Sequence, residues 1–121
     1  MVARAGAGAM GCCGSVGDRE VEVVEVGVDE CRGTFRPNGA WDGAPQWVND
    51  AGVELWRADS EWRMGRANDF YYVGAEGTRG MSAEDMLTRG FWVKCTYEGR
   101  ANVATCDPAP RIVVHAKCCC C

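Results

Sequence analysis

The chain has 121 residues, 47% of them hydrophobic and 25% charged, with a formal net charge of −4. That length admits one domain at most, and an acidic balance with both signs interspersed and no basic run argues against a nucleic-acid partner. No stretch approaches the roughly 18 apolar residues of a membrane span. The start has one charge, Arg4, and no apolar core of signal-peptide type, so a soluble cytoplasmic protein is the expectation.

Residues 1–18, MVARAGAGAMGCCGSVGD, are rich in alanine and glycine with no hydrophobic period and read as a disordered leader. Residues 20–28, EVEVVEVGV, alternate acidic and β-branched side chains, the pattern of a strand with one buried face. The Val23-Val24 pair breaks that alternation and predicts either a bulge or burial on both faces at that point. Thr34-Phe35-Arg36 reads as a short strand stopped by Pro37-Asn38-Gly39. Gln46-Trp47-Val48 reads as another, followed by a turn over residues 49–52.

Two hairpins follow. Val53-Glu54-Leu55-Trp56 and Trp62-Arg63-Met64 flank residues 57–61, and the second of these strands pairs with Phe70-Tyr71-Tyr72-Val73 across residues 66–69. Alternation places Val53, Leu55, Trp62 and Met64 on a core face. The opposite face then carries Glu54, Trp56, Arg63 and one of the two tyrosines. Such a face is either a binding surface or a set of cross-strand aromatic pairs covered by a loop.

Residues 82–89 hold the one helix signal: Ser82 as N-cap with Asp85 three residues on, Met81 and Met86 at the staple positions, and Gly90 at the end. Phe91-Trp92-Val93-Lys94-Cys95-Thr96-Tyr97 reads as a strand ended by Glu98-Gly99. After Asp107-Pro108-Ala109-Pro110, residues 111–114 are a candidate edge strand. The fold class is therefore all-β: a small antiparallel meander with one short helix near 82–89 and disordered ends. Residues 19–98 form the module, and residues 99–121 form a tail with the edge strand and a terminal cysteine cluster.

The aromatic inventory supports this reading. Residues 33–92 contain all five tryptophans, all three phenylalanines and two of the three tyrosines. A unit this small buries only a little over ~60% of its unfolded surface, so its core needs large side chains.

Within the same segment, Gly33-Thr34-Phe35, Gly43-Ala44-Pro45-Gln46-Trp47-Val48-Asn49, Gly52-Val53-Glu54-Leu55, Trp62-Arg63-Met64-Gly65, Tyr71-Tyr72 and Trp92 follow one another in order. This order resembles a short tryptophan- and glycine-rich β repeat of multidomain proteins of algae and other protists. The resemblance covers about half the chain. It implies a small β module for interaction and brings no catalytic residue. A second resemblance, to the WW domain, is carried by Trp62, Tyr71-Tyr72-Val73, Thr78-Arg79 and Trp92. It implies a proline-rich ligand docked between Tyr72 and Trp92.

The nine cysteines comprise Cys12-Cys13, the scattered Cys31, Cys95 and Cys106, and the run 118–121. An odd count with six at the ends is not a disulfide framework. Adjacent cysteines rarely fill one zinc tetrahedron together, and His115 is the single imidazole, so no metal or other cofactor is expected. Met10-Gly11-Cys12-Cys13-Gly14-Ser15 fits a myristoylation pattern, acting at Gly11 if translation starts at Met10, with palmitoylation at Cys12 and Cys13; Cys120 and Cys121 suit acylation or prenylation. Two or more such chains would hold a protein stably at a membrane.

Catalytic signals are thin. There is no Gly-rich phosphate loop, HExxH or GxSxG. Asp59, Glu61 and Asp69 fall in predicted turns, where carboxylates serve turn geometry. The functional expectation is a non-enzymatic module that binds a protein or carbohydrate through Trp41, Trp56, Arg63 and Tyr71. The alternative is a membrane-tethered scaffold lipidated at its terminal cysteines.

Overall fold

The computed structural model describes residues 15–115. Eight strands form one antiparallel sheet: β1 (Val21–Glu25), β2 (Gly33–Trp41), β3 (Ala44–Asn49), β4 (Glu54–Ala58), β5 (Glu61–Arg66), β6 (Asp69–Gly74), β7 (Trp92–Lys94) and β8 (Arg111–Val114). The order is β7-β6-β5-β4-β3-β2-β1-β8, so the first seven strands form a meander and β8 joins the far side of β1. Short 3-10 turns at Val16–Asp18 and Asp29–Cys31 precede β1 and β2. Helix α1 (Ala83–Arg89) lies between β6 and β7 in sequence and packs against β8 and the first 3-10 turn. The sheet curls, with Met86 and Leu87 of α1 meeting both Trp92 of β7 and Ile112 of β8 in one groove.

The inner face follows the sequence pattern. Val53, Leu55, Trp62 and Met64, the predicted core face, are all fully buried. Backbone register aligns Trp47 with Leu55, Leu55 with Met64, and Met64 with Tyr72, so a single row of large side chains crosses four strands. Both fully buried indoles find an acceptor: Trp47 Nε1 donates to the Arg19 carbonyl and Trp62 Nε1 to the Met81 carbonyl, each at 2.9 Å. A buried indole N–H without a partner would cost about 1–3 kcal/mol, which ties these two rings to defined positions.

The helix forms where its caps predict. Ser82 Oγ accepts from the Asp85 N–H at 3.1 Å, and Met86 is buried beneath the turn. Gly90 ends the helix in an extended conformation (φ −78°, ψ 162°); a Cβ there would stand 2.6 Å from the Met86 carbonyl. The Val23-Val24 bulge is present as a register shift against β8 between Val23 and Glu25.

Three local expectations are corrected. Pro37-Asn38-Gly39 does not stop its strand: β2 runs through to Trp41, absorbs the three residues as an irregularity between Pro37 and Ala40, and turns at Asp42-Gly43 instead. Both turn residues have positive φ (54° and 72°), as a tight hairpin with right-handed strand twist requires. The predicted strand over residues 91–97 shortens to Trp92–Lys94. The chain then stays at the β6 edge, where Phe70 N–H donates to the Arg100 carbonyl and Asn102 N–H to the Phe70 carbonyl, so that Ala101 pairs with Phe70 as an isolated parallel bridge.

The third correction concerns the paired tyrosines. Simple alternation sends one of them outward, but Tyr71 and Tyr72 are both buried and both belong to the main core. The register against β5 shifts between Met64 and Gly65, so that Met64 faces Tyr72 while Gly65 faces Phe70. Tyr71 is the extra residue of this bulge and turns inward. Its hydroxyl donates to Glu30 at 3.1 Å and accepts from Arg66 at 3.3 Å.

Residues 99–115 return to the sheet twice, first through Arg100 and Asn102 on β6 and then as β8, whose Ile112 and Val114 pack against the core. The candidate edge strand at 111–114 is thus a true edge strand. No helix among the described residues is long and apolar enough to cross a membrane.

Candidate functional site

The outer face of β4 and β5 begins with the cross-strand pair Trp56 and Arg63. Trp56 meets Phe70 edge to face at a centroid separation of 5.6 Å, and Arg63 lies over the Phe70 ring at 4.9 Å. Ala58, Val73 and Cys95 complete this second, smaller cluster, against which Ala101 packs. Aromatic pairs beneath a loop therefore account for most of this face. Trp56 is only 8% exposed.

Beside the cluster, an open cleft of about 750 Å³ is lined by Trp41, Gln46, Glu54, Trp56, Asp59 and Arg63, with Asp42, Ala58 and Ala67 completing its wall. It exists because the meander puts alternate hairpin tips at the same end of the sheet. The β2–β3 tip at Asp42-Gly43 meets the β4–β5 tip at Asp59-Ser60, whose residues also have positive φ (52° and 68°). Asp42 joins them: its carboxylate accepts the Ser60 N–H at 3.1 Å and the Arg57 Nε–H at 3.3 Å. Arg57 donates further to the carbonyls of Asp42 and Met81, which anchors both tips to the entry of α1. Trp41 stands at the rim of this braced corner, 60% exposed.

Three of the four expected binding residues, Trp41, Trp56 and Arg63, thus come together in one cleft, Trp56 presenting only an edge. Tyr71 does not. It is 4% exposed and belongs to the inner core and its Glu30–Arg66 network, because the β5–β6 bulge turned it inward. Burial holds its hydroxyl above the ordinary range of a tyrosine. Arg63 is itself constrained, donating from Nε to Glu61 at 3.0 Å while stacked on Phe70. Glu61 is buried at β5 and also accepts from the Tyr97 hydroxyl.

The sequence reading missed Gln46 and Asp59 as cleft residues, and it placed Glu54 on the Trp56–Arg63 face without naming it a binding residue. Their signal was available in hairpin arithmetic: Gln46 shares the outer parity of Glu54, Trp56 and Arg63, and Asp59 sits in the turn that joins those strands. The remaining candidates fall elsewhere. His115 Nε2 lies 3.1 Å from Glu22 Oε1 on the β1–β8 edge, and Asp69 accepts from Asn102 at 2.7 Å. Cys31 and Cys95 are buried free thiols and Cys106 an exposed one. Tyr72 and Trp92, between which a WW-type ligand would dock, are both buried. The lipidation candidates Gly11, Cys12, Cys13, Cys120 and Cys121 lie outside the described residues. Among the described residues, no cluster of three or more His, Cys, Asp or Glu side chains is placed to hold a metal ion.

Comparison with family models, with curated proteins and with solved structures finds no match to this chain.

Proposed function

We propose that this protein is a non-enzymatic interaction module that holds a segment of a protein or carbohydrate in the cleft between its two braced hairpin tips. The observation that carries the reading is the exposed Trp41 at the rim of a cleft it shares with Trp56 and Arg63. A single-domain protein of this size has little reason to leave an indole 60% exposed for stability, since its area is worth more inside. Amide, carboxylate and guanidinium groups around an aromatic wall are the polar minority that orients a ligand in a binding site. None of the cleft residues is a histidine, cysteine, serine or lysine.

The test is a paired screen of displayed peptides and immobilised oligosaccharides with the wild-type protein and Trp41→Ala. Ligands retained by the wild type should be lost by the variant while its urea midpoint shifts by less than about 0.5 kcal/mol in stability, as for a surface position. Ligands that bind both proteins equally would place recognition elsewhere and overturn the cleft assignment.

A further inference from the structure

Charge in the cleft is unevenly compensated, and this singles out one ligand chemistry. Asp42 is neutralised by Arg57 at 3.3 Å, and Arg63 by Glu61 at 3.0 Å. Glu54 and Asp59 remain. Across the strands Glu54 faces Val48 on one side and Gly65 on the other, neither of which can offer it a cation. Asp59 occupies the β4–β5 turn, where Arg79 binds its backbone carbonyl at 2.7 Å. Among the described residues neither carboxylate has a side-chain partner. The cleft therefore presents two carboxylates without a side-chain partner, Asp59 at the tip that carries the exposed indole and Glu54 at the other end of β4, and its one guanidinium is already held.

We infer that the occupant of this cleft is a basic segment of a protein partner, one arginine stacked on Trp41 beside Asp59 at the hairpin tip and a second cationic side chain paired with Glu54 at the far end of β4. This rests on the reading of the cleft as the binding site and narrows it from protein or carbohydrate to a cationic peptide. A guanidinium suits the tip in three ways: its plane stacks on an indole, its charge is attracted by the ring face, and its N–H fork matches a carboxylate. A neutral saccharide would use the indole face but leave both carboxylates without a counter-charge. The whole-chain net charge of −4 acts in the same direction by favouring the approach of a basic partner.

The experiment is an NMR titration of the protein, following the Trp41 indole N–H, assigned by its absence in Trp41→Phe. The probes are a terminally blocked Gly-Arg-Gly-Arg-Gly peptide, the same peptide with citrulline for arginine, and cellohexaose as a neutral saccharide. Citrulline keeps the shape of arginine and removes its charge. Saturable shifts of the Trp41 signal are expected with the arginine peptide, with affinity about fivefold or more above that for citrulline. That preference should shrink as sodium chloride rises from 0.05 to 0.5 M and disappear in the double variant Glu54→Gln/Asp59→Asn. Equal binding of the arginine and citrulline peptides, or binding of cellohexaose alone, would overturn the cationic ligand while leaving the cleft as the site. Shifts that spare Trp41 with every probe would overturn both.

Discussion

Asn49 shows how much one polar side chain can organise in a sheet this small. It is 7% exposed at the end of β3, where its amide donates to the Glu30 carbonyl at 2.6 Å and its oxygen accepts the N–H groups of Ala51 and Val53 at 3.0 and 2.9 Å. The two accepted bonds wind the β3–β4 turn, and the donated one ties that turn to the 3-10 turn before β2. Replacing Asn49 with Ala leaves one carbonyl and two N–H groups unpaired at a site with restricted access to water. Each is worth about 1 kcal/mol, so Asn49→Ala is expected to lose about 2–4 kcal/mol in a urea melt. A loss below about 0.5 kcal/mol would mean that water replaces the amide at this turn.

At the level of elements, the β5–β6 bulge decides which aromatic side chains belong to the core and which to the outer face. Gly65 permits it through close approach: a Cβ there would lie 2.5 Å from the Asp69 carbonyl oxygen and 2.7 Å from the Phe70 Cα, both backbone atoms. Gly65→Ala must therefore push β5 and β6 apart at the point where Tyr71 turns inward. The expected cost is about 1–3 kcal/mol. Because the bulge also positions Phe70 under Trp56 and Arg63, the variant should shift the NMR signals of the Trp56 indole as well. An unchanged Trp56 signal with full stability would show that the bulge tolerates the methyl group.

The same bulge marks the limit of what the residues alone reveal. The core face of Val53, Leu55, Trp62 and Met64, the Ser82 cap and the break at Val24 are each governed by neighbours one to four positions away, and local pattern captured all three. The inward turn of Tyr71 depends on a glycine six residues earlier on another strand, so alternation along β6 could not register it. Likewise Pro37-Asn38-Gly39 carries turn chemistry, but pairing with β3 on both sides of it outweighs local preference and extends the strand. The cleft was half legible for a related reason. Trp41, Trp56 and Arg63 announce themselves by residue type and Glu54 by its parity on β4, whereas Asp59 matters only once the two hairpin tips are seen to meet.

Across the whole molecule, the curled sheet encloses weak acids that ionise far more readily when the chain is unfolded. Burial pushes the Cys31 thiol from its ordinary 9.0 up to about 12, and the Tyr72 hydroxyl from 10.0 up to about 12. Tyr71 and Cys95 are raised by burial, and Tyr97 chiefly by its hydrogen bond to Glu61 and then by burial. All five act with the same sign: between the unfolded and folded values the native state keeps protons that the unfolded chain releases, so unfolding is favoured as pH rises. Their contribution is complete below about pH 9 and is lost as the pH climbs toward 12, at up to about 1.4 kcal/mol per pH unit for each of the fully buried Cys31 and Tyr72 in its window. Urea midpoints should thus be level from pH 7 to 8.5 with respect to these groups and fall steeply by pH 11. The two thiols Cys31 and Cys95 act earliest, because their unfolded value is the lowest. The double variant Cys31→Ala/Cys95→Ala is therefore expected to flatten the first part of the decline, between about pH 9 and 10, and to leave the later, tyrosine part in place. A decline that starts at the same pH in wild type and the double variant would mean that both thiols ionise within the fold.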